Sequence, residues 1–506
     1  MSSSQLFELV HSLSQSEKRY FKIFSSFQAG TKVYLDLFNA IVRQKEYDEQ
    51  KLKNKLNIRA FAAAKKYLYN LIMRSLRSQQ QSHNVSMEIK DKLKDVEILF
   101  QKGLFEHSNK LLVKAKKLAQ AYQKHPLLIE IYQLEHMIAN VAFNTSQHKR
   151  IFEKGYEEST GTIEALKEQM EHRKIINLLI YKRSRLGKII RSENERVEIY
   201  NKAKSLLDKD PETLLSYRTG IFHYIIKELY YYSIGDIEAA YRSSKNSIRH
   251  MESDPVQLKQ ELNNYMFGLN NLMNSQIALH KYEEIKVSID KLQLIEANTT
   301  IERARIFGFY ASKEIIYFVY TGRHKEGLMH VPVIEKQLIQ YEGIIHKPAC
   351  YALYVNIEVL YIVCGKFHDA LHWNNRILND PEIESFHDFY SNARISEIII
   401  HYELDNLETV QSLIRSYYQF LIKNTGQYRY ENSLVRFFKN LINITDRRNL
   451  KAEFIRFHKE LLELAYDPYE REAFDFFNLI YWMESKIENR PLAEIIKERA
   501  GNARIS

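Results

Sequence analysis

Residues 352–381 read ALYVNIEVLYIVCGKFHDALHWNNRILNDP, and this stretch decides the fold class. An apolar and aromatic run ends at Gly365, and a second, amphipathic run continues to Asp380 and Pro381. Glycine after an apolar run is typical of the end of an α-helix, where the residue that follows the last turn adopts a left-handed conformation. Proline cannot continue a helix. The stretch therefore predicts two helices joined by a tight turn at Gly365 and ended at Pro381.

Glycines that follow apolar runs recur along the chain at one spacing. They are Gly103, Gly235, Gly322 and Gly365, and their separations of 132, 87 and 43 residues are about three, two and one times 44. The period predicts further turns near residues 147, 191, 279, 408 and 450. Polar breaks lie at all five places: Thr145–His148, Arg191–Asn194, His280–Lys281, Asp405–Asn406 and Thr445–Asn449.

Six of the eight prolines lie 16–26 residues after a predicted turn, where the second helix of a pair should end. They are Pro126, Pro211, Pro255, Pro348, Pro381 and Pro468. Pro332 is interpreted as a kink or a helix start, and Pro491 lies outside the pattern. Self-similarity at a fixed period of this size is the signature of an α-solenoid. The sequence therefore predicts an all-α chain with about nine helical hairpins of about 43 residues, over residues 88–490.

The composition supports helices and excludes several other classes. Only 15 glycines and 8 prolines occur in 506 residues, too few for the frequent turns of a β-sandwich or barrel. The two cysteines, Cys350 and Cys364, form no paired framework and indicate a reducing compartment. No apolar stretch approaches the roughly 20 residues of a membrane span, and the N-terminus lacks a secretory apolar region. We therefore expect no membrane insertion and a cytoplasmic location.

The hairpin at 352–381 resembles a tetratricopeptide repeat (TPR) unit. The positions that match its signature to within one residue are Tyr354, Asn356, Tyr361, Gly365, Phe367, Ala370 and Asp380-Pro381. Residues 99–119 and 231–248 match less fully, and the units run about 43 residues against the 34 of the TPR family. The resemblance implies a right-handed α-α superhelix whose first helices line a concave groove that holds extended peptides.

The same resemblance implies candidate partner-binding residues. Asn356 lies where TPR units often place a peptide-binding asparagine, and Lys313 occupies the equivalent position in the hairpin that turns at Gly322. Tyr354 and Tyr317 belong to tyrosine-rich first helices, and tyrosine offers rigid aromatic surface at interfaces. The alternative is that these tyrosines are core residues, since the same spacing is that of a helix packing stripe.

The N-terminal quarter is basic. Residues 1–80 hold 14 Lys and Arg against 6 Asp and Glu, while the whole chain has a net charge of +10. Short helical segments are predicted at Ser4–Leu13, from Ser14 with a capping-box pattern to Glu17, at Val33–Gln44, at Asp48–Leu56 and at Phe61–Leu76. The chain is thus divided into a basic helical module (1–77), a polar linker (78–87) and a TPR-like solenoid (88–506).

Two interpretations of this module remain open. Its clustered cations are Lys51, Lys53, Lys55, Arg59, Lys65 and Lys66. They could contact phosphates as part of a helix-turn-helix, and the layout is similar to bacterial peptide-sensing regulators that join such a module to a TPR array. However, residues 57–59 lack a clear helix-turn-helix pattern, and Ala62–Ala64 cannot read bases by hydrogen bonds. The other interpretation is a cap or partner-binding module that covers the apolar edge of the first repeat.

Catalytic and metal-binding patterns are scarce. There is no phosphate-binding glycine loop, nucleophile elbow or paired-cysteine zinc motif. His368 and His372 lie at i, i+4 and could bind zinc, and Asp208 with Asp210 could bind a divalent cation. Packing of the hairpin and a helix end explain these pairs better. We therefore expect no enzyme activity, cofactor or metal.

The sequence as a whole favours a non-catalytic scaffold or adaptor that binds a peptide or protein partner on the concave face of the solenoid. The alternative is a nucleic-acid-binding transcriptional regulator with a basic N-terminal domain and a partner-sensing TPR-like domain. The sequence leaves the partner and the oligomeric state open.

Overall fold

The computed structural model describes residues 4–26, 32–56, 58, 60–80, 84–142, 145–186, 189–190, 192–297, 299–423, 429–444, 446–467, 470 and 477–502. These residues form 25 α-helices and two short 3-10 turns, and none of them lies in a β-strand. The chain divides into two compact units, Met1–Leu166 and Lys167–Ser506. The predicted all-α class is confirmed for the described residues.

The first unit contains eight helices and the beginning of a ninth. They are α1 (Gln5–Ser12), α2 (Gln15–Ser26), α3 (Lys32–Val42), α4 (Glu49–Leu56), α5 (Phe61–Gln80), α6 (Val85–Gln101), α7 (Phe105–Ala121), α8 (His125–Ala142) and α9 (Thr145–Leu186), which ends in the second unit. All five helical segments predicted before residue 77 are present.

Helices α1–α5 share one apolar core. Leu37, Phe38 and Leu68 are fully buried in it, and the predicted stripe of α5 contributes Leu71 and Ile72 as well. The predicted capping box of α2 is confirmed, because Ser14 N donates to the Glu17 carboxylate over 2.7 Å and Glu17 N donates to Ser14 Oγ over 3.2 Å. These bonds satisfy two backbone donors that a helix start leaves free.

The predicted linker at 78–87 is partly helical. Residues 78–80 extend α5, and residues 81–83 lie outside the described part of the chain. Asn84 caps α6, because its Oδ1 accepts from Ser86 N at 2.9 Å and from Met87 N at 3.3 Å. Asparagine is among the best N-cap residues.

The second unit contains the remaining sixteen helices. Those up to the hairpin at Gly365 are α10 (Glu193–Leu207), α11 (Tyr217–Ser233), α12 (Ile237–Glu252), α13 (Pro255–Leu258), α14 (Leu262–Ala278), α15 (Tyr282–Gln293), α16 (Thr300–Tyr320), α17 (His324–Gln340), α18 (Lys347–Val363) and α19 (Phe367–Leu378). The others are α20 (His387–Glu403), α21 (Leu407–Lys423), α22 (Arg429–Leu441), α23 (Arg447–Tyr466), α24 (Leu479–Glu488) and α25 (Leu492–Asn502).

First and second helices of the hairpins differ in burial. In α18 the four consecutive residues 357–360 are all buried, so that helix is enclosed around its circumference. In α19 the buried residues include Ala370, Trp373 and Ile377, which form a single stripe at i, i+3 and i+7. In this hairpin the first helix is therefore enclosed, and the second helix packs through one side.

The turns of the hairpins are left-handed, as predicted. Gly103, Gly235, Gly322 and Gly365 have φ between 69° and 85°. Two predicted turns without glycine have the same conformation, at His280 with φ 56° and at Asp405 with φ 59°. At Gly365 the following Lys366 N donates to Tyr361 O over 2.9 Å, which is the hydrogen bond that closes a Schellman motif.

The region of α9 departs from the predicted period. Breaks occur near both predicted turns, since α9 begins at Thr145 and Ser192 caps α10, while Arg191 lies outside the described residues. However, the predicted hairpin period requires one helix to end and a second to begin between these turns. Instead, α9 is one continuous helix of 42 residues. No proline interrupts it, and Gly155 and Gly161 both lie within the helix. The regular hairpin predicted here is therefore wrong.

The prolines and the last predicted turn largely follow the prediction. Pro211, Pro255, Pro348 and Pro381 follow the ends of α10, α12, α17 and α19, and Pro126 begins α8 after the end of α7. Pro468 and Thr445 lie outside the described residues, and Asp446 caps α23. Pro332 lies inside α17, so its interpretation as a helix start is wrong.

Hydrogen bonds between successive hairpins of the second unit join residues 40–44 positions apart. The pairs are Arg218–Glu261, Tyr241–Glu284, Glu228–Asn271, Asn263–Arg305, Ser312–Asn356 and Ser391–Glu431. Side chains one repeat apart in sequence are thus neighbours in space, as stacking of similar units requires.

The last two helices pack back on earlier ones. Trp482 Nε1 in α24 donates to Glu403 of α20 over 2.5 Å, and Lys486 pairs with the same carboxylate. Lys497 of α25 lies against Gly322, so that a Cβ at Gly322 would be 3.0 Å from its Cγ. This return of the chain was not predicted. Among the described helices, none combines the length and the apolar character that a membrane crossing needs.

Candidate partner-binding face

Three neighbouring first helices, α14, α16 and α18, present a polar and aromatic surface. We call it the first-helix face and define it by Asn263, Phe267, Asn270 and Asn274 of α14, Arg305, Phe309 and Lys313 of α16, and Asn356 of α18. On α14 the four residues follow i, i+4, i+7 and i+11 spacing, which places them on one side of the helix.

Direct contacts connect the three helices at this face. Arg305 Nη1 donates to Asn263 Oδ1 over 2.6 Å, and the rings of Phe267 and Phe309 meet edge to face with centroids 5.2 Å apart. Asn356 Nδ2 donates to Ser312 Oγ over 2.7 Å. The relative positions of the side chains are therefore held by the packing of the helices.

Phe267 is the most unusual residue of the face, because 49% of it is exposed although it lies on a first helix. Asn263 is also exposed, while Asn270 and Asn274 are half-buried. The side-chain amides of Asn270 and Asn274 form no hydrogen bond with a described residue. An exposed aromatic ring beside amides that can donate and accept is suited to a peptide, whose backbone has both groups.

The four residues predicted from the TPR resemblance differ in their exposure and in their contacts. Lys313 and Asn356 belong to the first-helix face, but both N–H groups of the Asn356 amide already donate, to Ser312 Oγ and to Ala352 O at 2.8 Å. Tyr354 is half-buried with its ring 5.5 Å from that of Trp373. Tyr317 is only 3% exposed, and burial raises its pKa. Tyr317 is thus a core residue, as the alternative interpretation held.

Sequence reasoning missed Asn270 and Phe267, although a signal was present. Positions 227, 270, 313 and 356 are each 43 residues apart, and they hold Lys227, Asn270, Lys313 and Asn356. The hairpin of Asn270 turns at His280 and not at a glycine, so the glycine pattern does not point to position 270 as the equivalent of Lys313 and Asn356. Phe267 lies one turn before Asn270 and is identified as unusual only by its exposure.

Buried glutamates lie between the first helices. Glu358 has no exposed surface, and Asn374 Nδ2 donates to its Oε1 over 3.2 Å and to Ala393 O over 2.8 Å. Desolvation raises the pKa of Glu358 to about 8, so this carboxyl is mostly protonated at neutral pH. Through the Asn374 amide, Glu358 of α18 is connected to α19 and α20.

The basic residues of the N-terminal module are partly neutralised. Lys53 and Lys65 pair with Glu49 at 2.8 and 2.6 Å, and hydrogen bonds from these two lysines lower the pKa of Glu49 to about 2. Lys51, Lys55 and Lys66 are exposed and have no ion pair with a described residue. Arg59 lies outside the described residues. Three of the predicted cations are therefore accessible for contact with phosphates.

The candidate metal ligands show no assembled site. His368 and His372 are exposed on α19, and the described residues contain no cluster of three His, Cys, Asp or Glu that could hold a metal ion. Asp210 Oδ1 accepts from Glu212 N over 3.0 Å and so caps the turn after α10. Desolvation raises the pKa of the Cys364 thiol, which disfavours the reactive thiolate.

Comparison with known proteins assigns no family to this fold. No family model, no curated protein and no solved structure matches the chain. The function is therefore inferred from the residues of the chain itself.

Proposed function

We propose that this chain is a non-catalytic interaction protein whose first-helix face binds an extended peptide or a segment of a protein partner. The TPR-like hairpins of the second unit would wind into a right-handed superhelix with this face on the concave side. A scaffold or adaptor needs such a surface and no reacting groups.

The observation that carries the proposal is the exposed Phe267 beside Asn270 and Asn274. Apolar side chains on the inner helices are otherwise mostly buried, so an exposed ring here costs hydration free energy unless a partner covers it. Arg305 and Lys313 add positive charge, which favours a partner segment with acidic side chains.

The superhelix is supported by two features of the second unit. Left-handed turns recur at Gly235, His280, Gly322, Gly365 and Asp405, with spacings of 40–45 residues. Inter-hairpin hydrogen bonds repeat at 40–44 residues, so each hairpin contacts the next in a similar way. A constant step between similar units generates a superhelix.

The proposal is tested by affinity purification of the intact protein with quantified partners. A double variant, Phe267→Ala with Asn270→Ala, should lose the specific partner while it keeps its helical content. The matched control is Met329→Ala, since Met329 is 77% exposed on the second helix α17. Loss of the partner in the control, or its retention in the double variant, would contradict a role for the first-helix face.

Nucleic-acid binding is the second candidate, favoured by the exposed lysines Lys51, Lys55 and Lys66. Retention on duplex DNA at low salt that is lost in the triple Lys→Glu variant would support it. A control variant with three exposed lysines of the second unit changed, Lys259, Lys325 and Lys336, should then bind normally. Absence of retention at low salt would exclude the regulator, because phosphate contacts are strongest there.

A further inference from the structure

A cleft of about 380 Å³ lies between α12, α14 and α15 of the second unit, and none of its lining residues belongs to the set that defines the first-helix face. Helices α12 and α15 form its walls, and Ile248, Leu272 and Gln276 form its buried floor. Val287 lies at the rim and is 59% exposed. The volume is at the low end of the range for small-molecule sites, so a ligand here would be small.

Basic side chains outnumber acidic ones among the residues that line the cleft. Glu252 accepts from Lys291 Nζ and from the Tyr265 hydroxyl, each over 2.6 Å, so this carboxylate is already satisfied. Glu284 accepts from the Tyr241 hydroxyl over 2.5 Å.

The remaining cations lie on one side of α12. Lys245 and Arg249 are at i, i+4, and neither has a carboxylate partner among the described residues. Lys245 Nζ lies 3.3 Å from the Tyr241 hydroxyl and 5.4 Å from the centroid of that ring, and Arg249 Nη1 donates to the Asn246 side chain over 3.2 Å. Both side chains are exposed and can turn toward an anion in the cleft.

Gln276 contributes a polar side chain to the lining of the cleft. It is only 3% exposed, and its Oε1 accepts from Ser288 Oγ over 3.2 Å. Its Nε2 has no acceptor among the described residues, although it belongs to the lining of the cleft. An oxygen atom of a ligand in the cleft would accept a hydrogen bond from this donor.

We propose that this cleft binds a small organic carboxylate with an apolar body. The carboxylate would accept hydrogen bonds from Arg249, Lys245 and the Gln276 amide, and its apolar part would cover Ile248, Leu272 and Val287. The cations of the cleft attract a carboxylate and repel an amine, and they bind an alcohol more weakly because it carries no charge. The apolar floor favours a ligand with an apolar body.

Equilibrium dialysis of the full chain with labelled octanoate tests the proposal. We expect saturable binding of one octanoate per chain, little competition by octylamine, and competition by octanol at least tenfold weaker than by unlabelled octanoate. Arg249→Gln and Gln276→Leu should each weaken binding about tenfold, since each removes one hydrogen bond to a charged group. Arg242→Gln is the control, because Arg242 is exposed on the same helix and does not line the cleft.

Circular dichroism establishes that each variant is folded before its binding is measured. Three results would overturn the proposal: no saturable binding of octanoate at millimolar concentration, equal competition by octylamine or octanol, or unchanged binding by the folded Arg249→Gln variant. A partner lost through changes at Phe267 would leave the octanoate result unchanged, so the two proposals are tested separately.

Discussion

Glu358 has no solvent contact, and its carboxyl lies against the side chains of Asn374 and Ser396. Its pKa of about 8, against 4.5 in the exposed state, means that the folded chain holds a proton that the unfolded chain has lost at neutral pH. Stability is therefore lost as the pH rises from 4.5 to 8. Glu358→Gln removes this loss and should raise the free energy of unfolding by about 2 kcal/mol at pH 7.

Urea unfolding of both proteins at several pH values measures this effect. The difference between them should grow from pH 4.5 to pH 8. Glu384→Gln is the control, because Glu384 is exposed and should show no such trend. A constant difference across this pH range would show that Glu358 is not protonated in the folded chain.

His223 gives a pH dependence of opposite sign. Its side chain is fully buried, and neither ring nitrogen has a hydrogen-bond partner among the described residues. Desolvation and the charges of Lys227, His172 and Lys209 lower its pKa to about 4. The unfolded chain therefore takes up this proton first, and stability falls as the pH drops from 6.5 toward 4.

His223→Phe should remove this part of the acid sensitivity. We expect the variant to gain about 1 kcal/mol relative to the wild type between pH 7 and pH 5, measured by urea unfolding at both values. His368→Gln changes an exposed histidine and serves as the control. Parallel loss of stability in wild type and His223→Phe would disprove the assignment.

At the scale of elements, the hairpin turns were predictable because the left-handed conformation restricts which residues are favourable. Glycine adopts it without a steric cost, so Gly235, Gly322 and Gly365 identified their turns directly. His280 and Asp405 were found only through the period. Helix α9 was not predictable from the same reasoning, because a period predicts where a break fits and does not create one.

Exchanging turn residues tests this account. His280→Gly should raise the free energy of unfolding by about 0.5–1 kcal/mol, because it removes the strain of a side chain at φ 56°. Gly365→Ala should lower it by about 1 kcal/mol through the same effect, since no atom lies within 4 Å of a Cβ added there. Thermal and urea unfolding measure both changes.

The two substitutions should change the free energy of unfolding in opposite directions. Gly161→Ala provides the helical control, because Gly161 lies inside α9 with open space around its added Cβ. That change should stabilise the chain by up to about 1 kcal/mol. Destabilisation by His280→Gly would mean that the imidazole contributes more than its backbone strain costs.

At the scale of the whole molecule, local patterns were predictable and long-range contacts were not. The 43-residue register located Lys313 and Asn356 near the first-helix face, whereas burial of Tyr317 depends on residues that pack from other helices. The contact of Trp482 with Glu403 joins residues 79 positions apart, and no repeat pattern predicts it. Sequence periodicity predicts contacts within a hairpin and between neighbouring hairpins. It does not predict that α24 and α25 pack against earlier helices.

The central claim is that the first-helix face binds a protein or peptide partner. The most direct measurement places a photo-crosslinking phenylalanine analogue at Phe267 in cells and, as the control, at Met329 on the outer side of α17. We predict a discrete adduct of one partner from position 267 and none of that species from position 329. No adduct from position 267, or the same adducts from both positions, would contradict the claim.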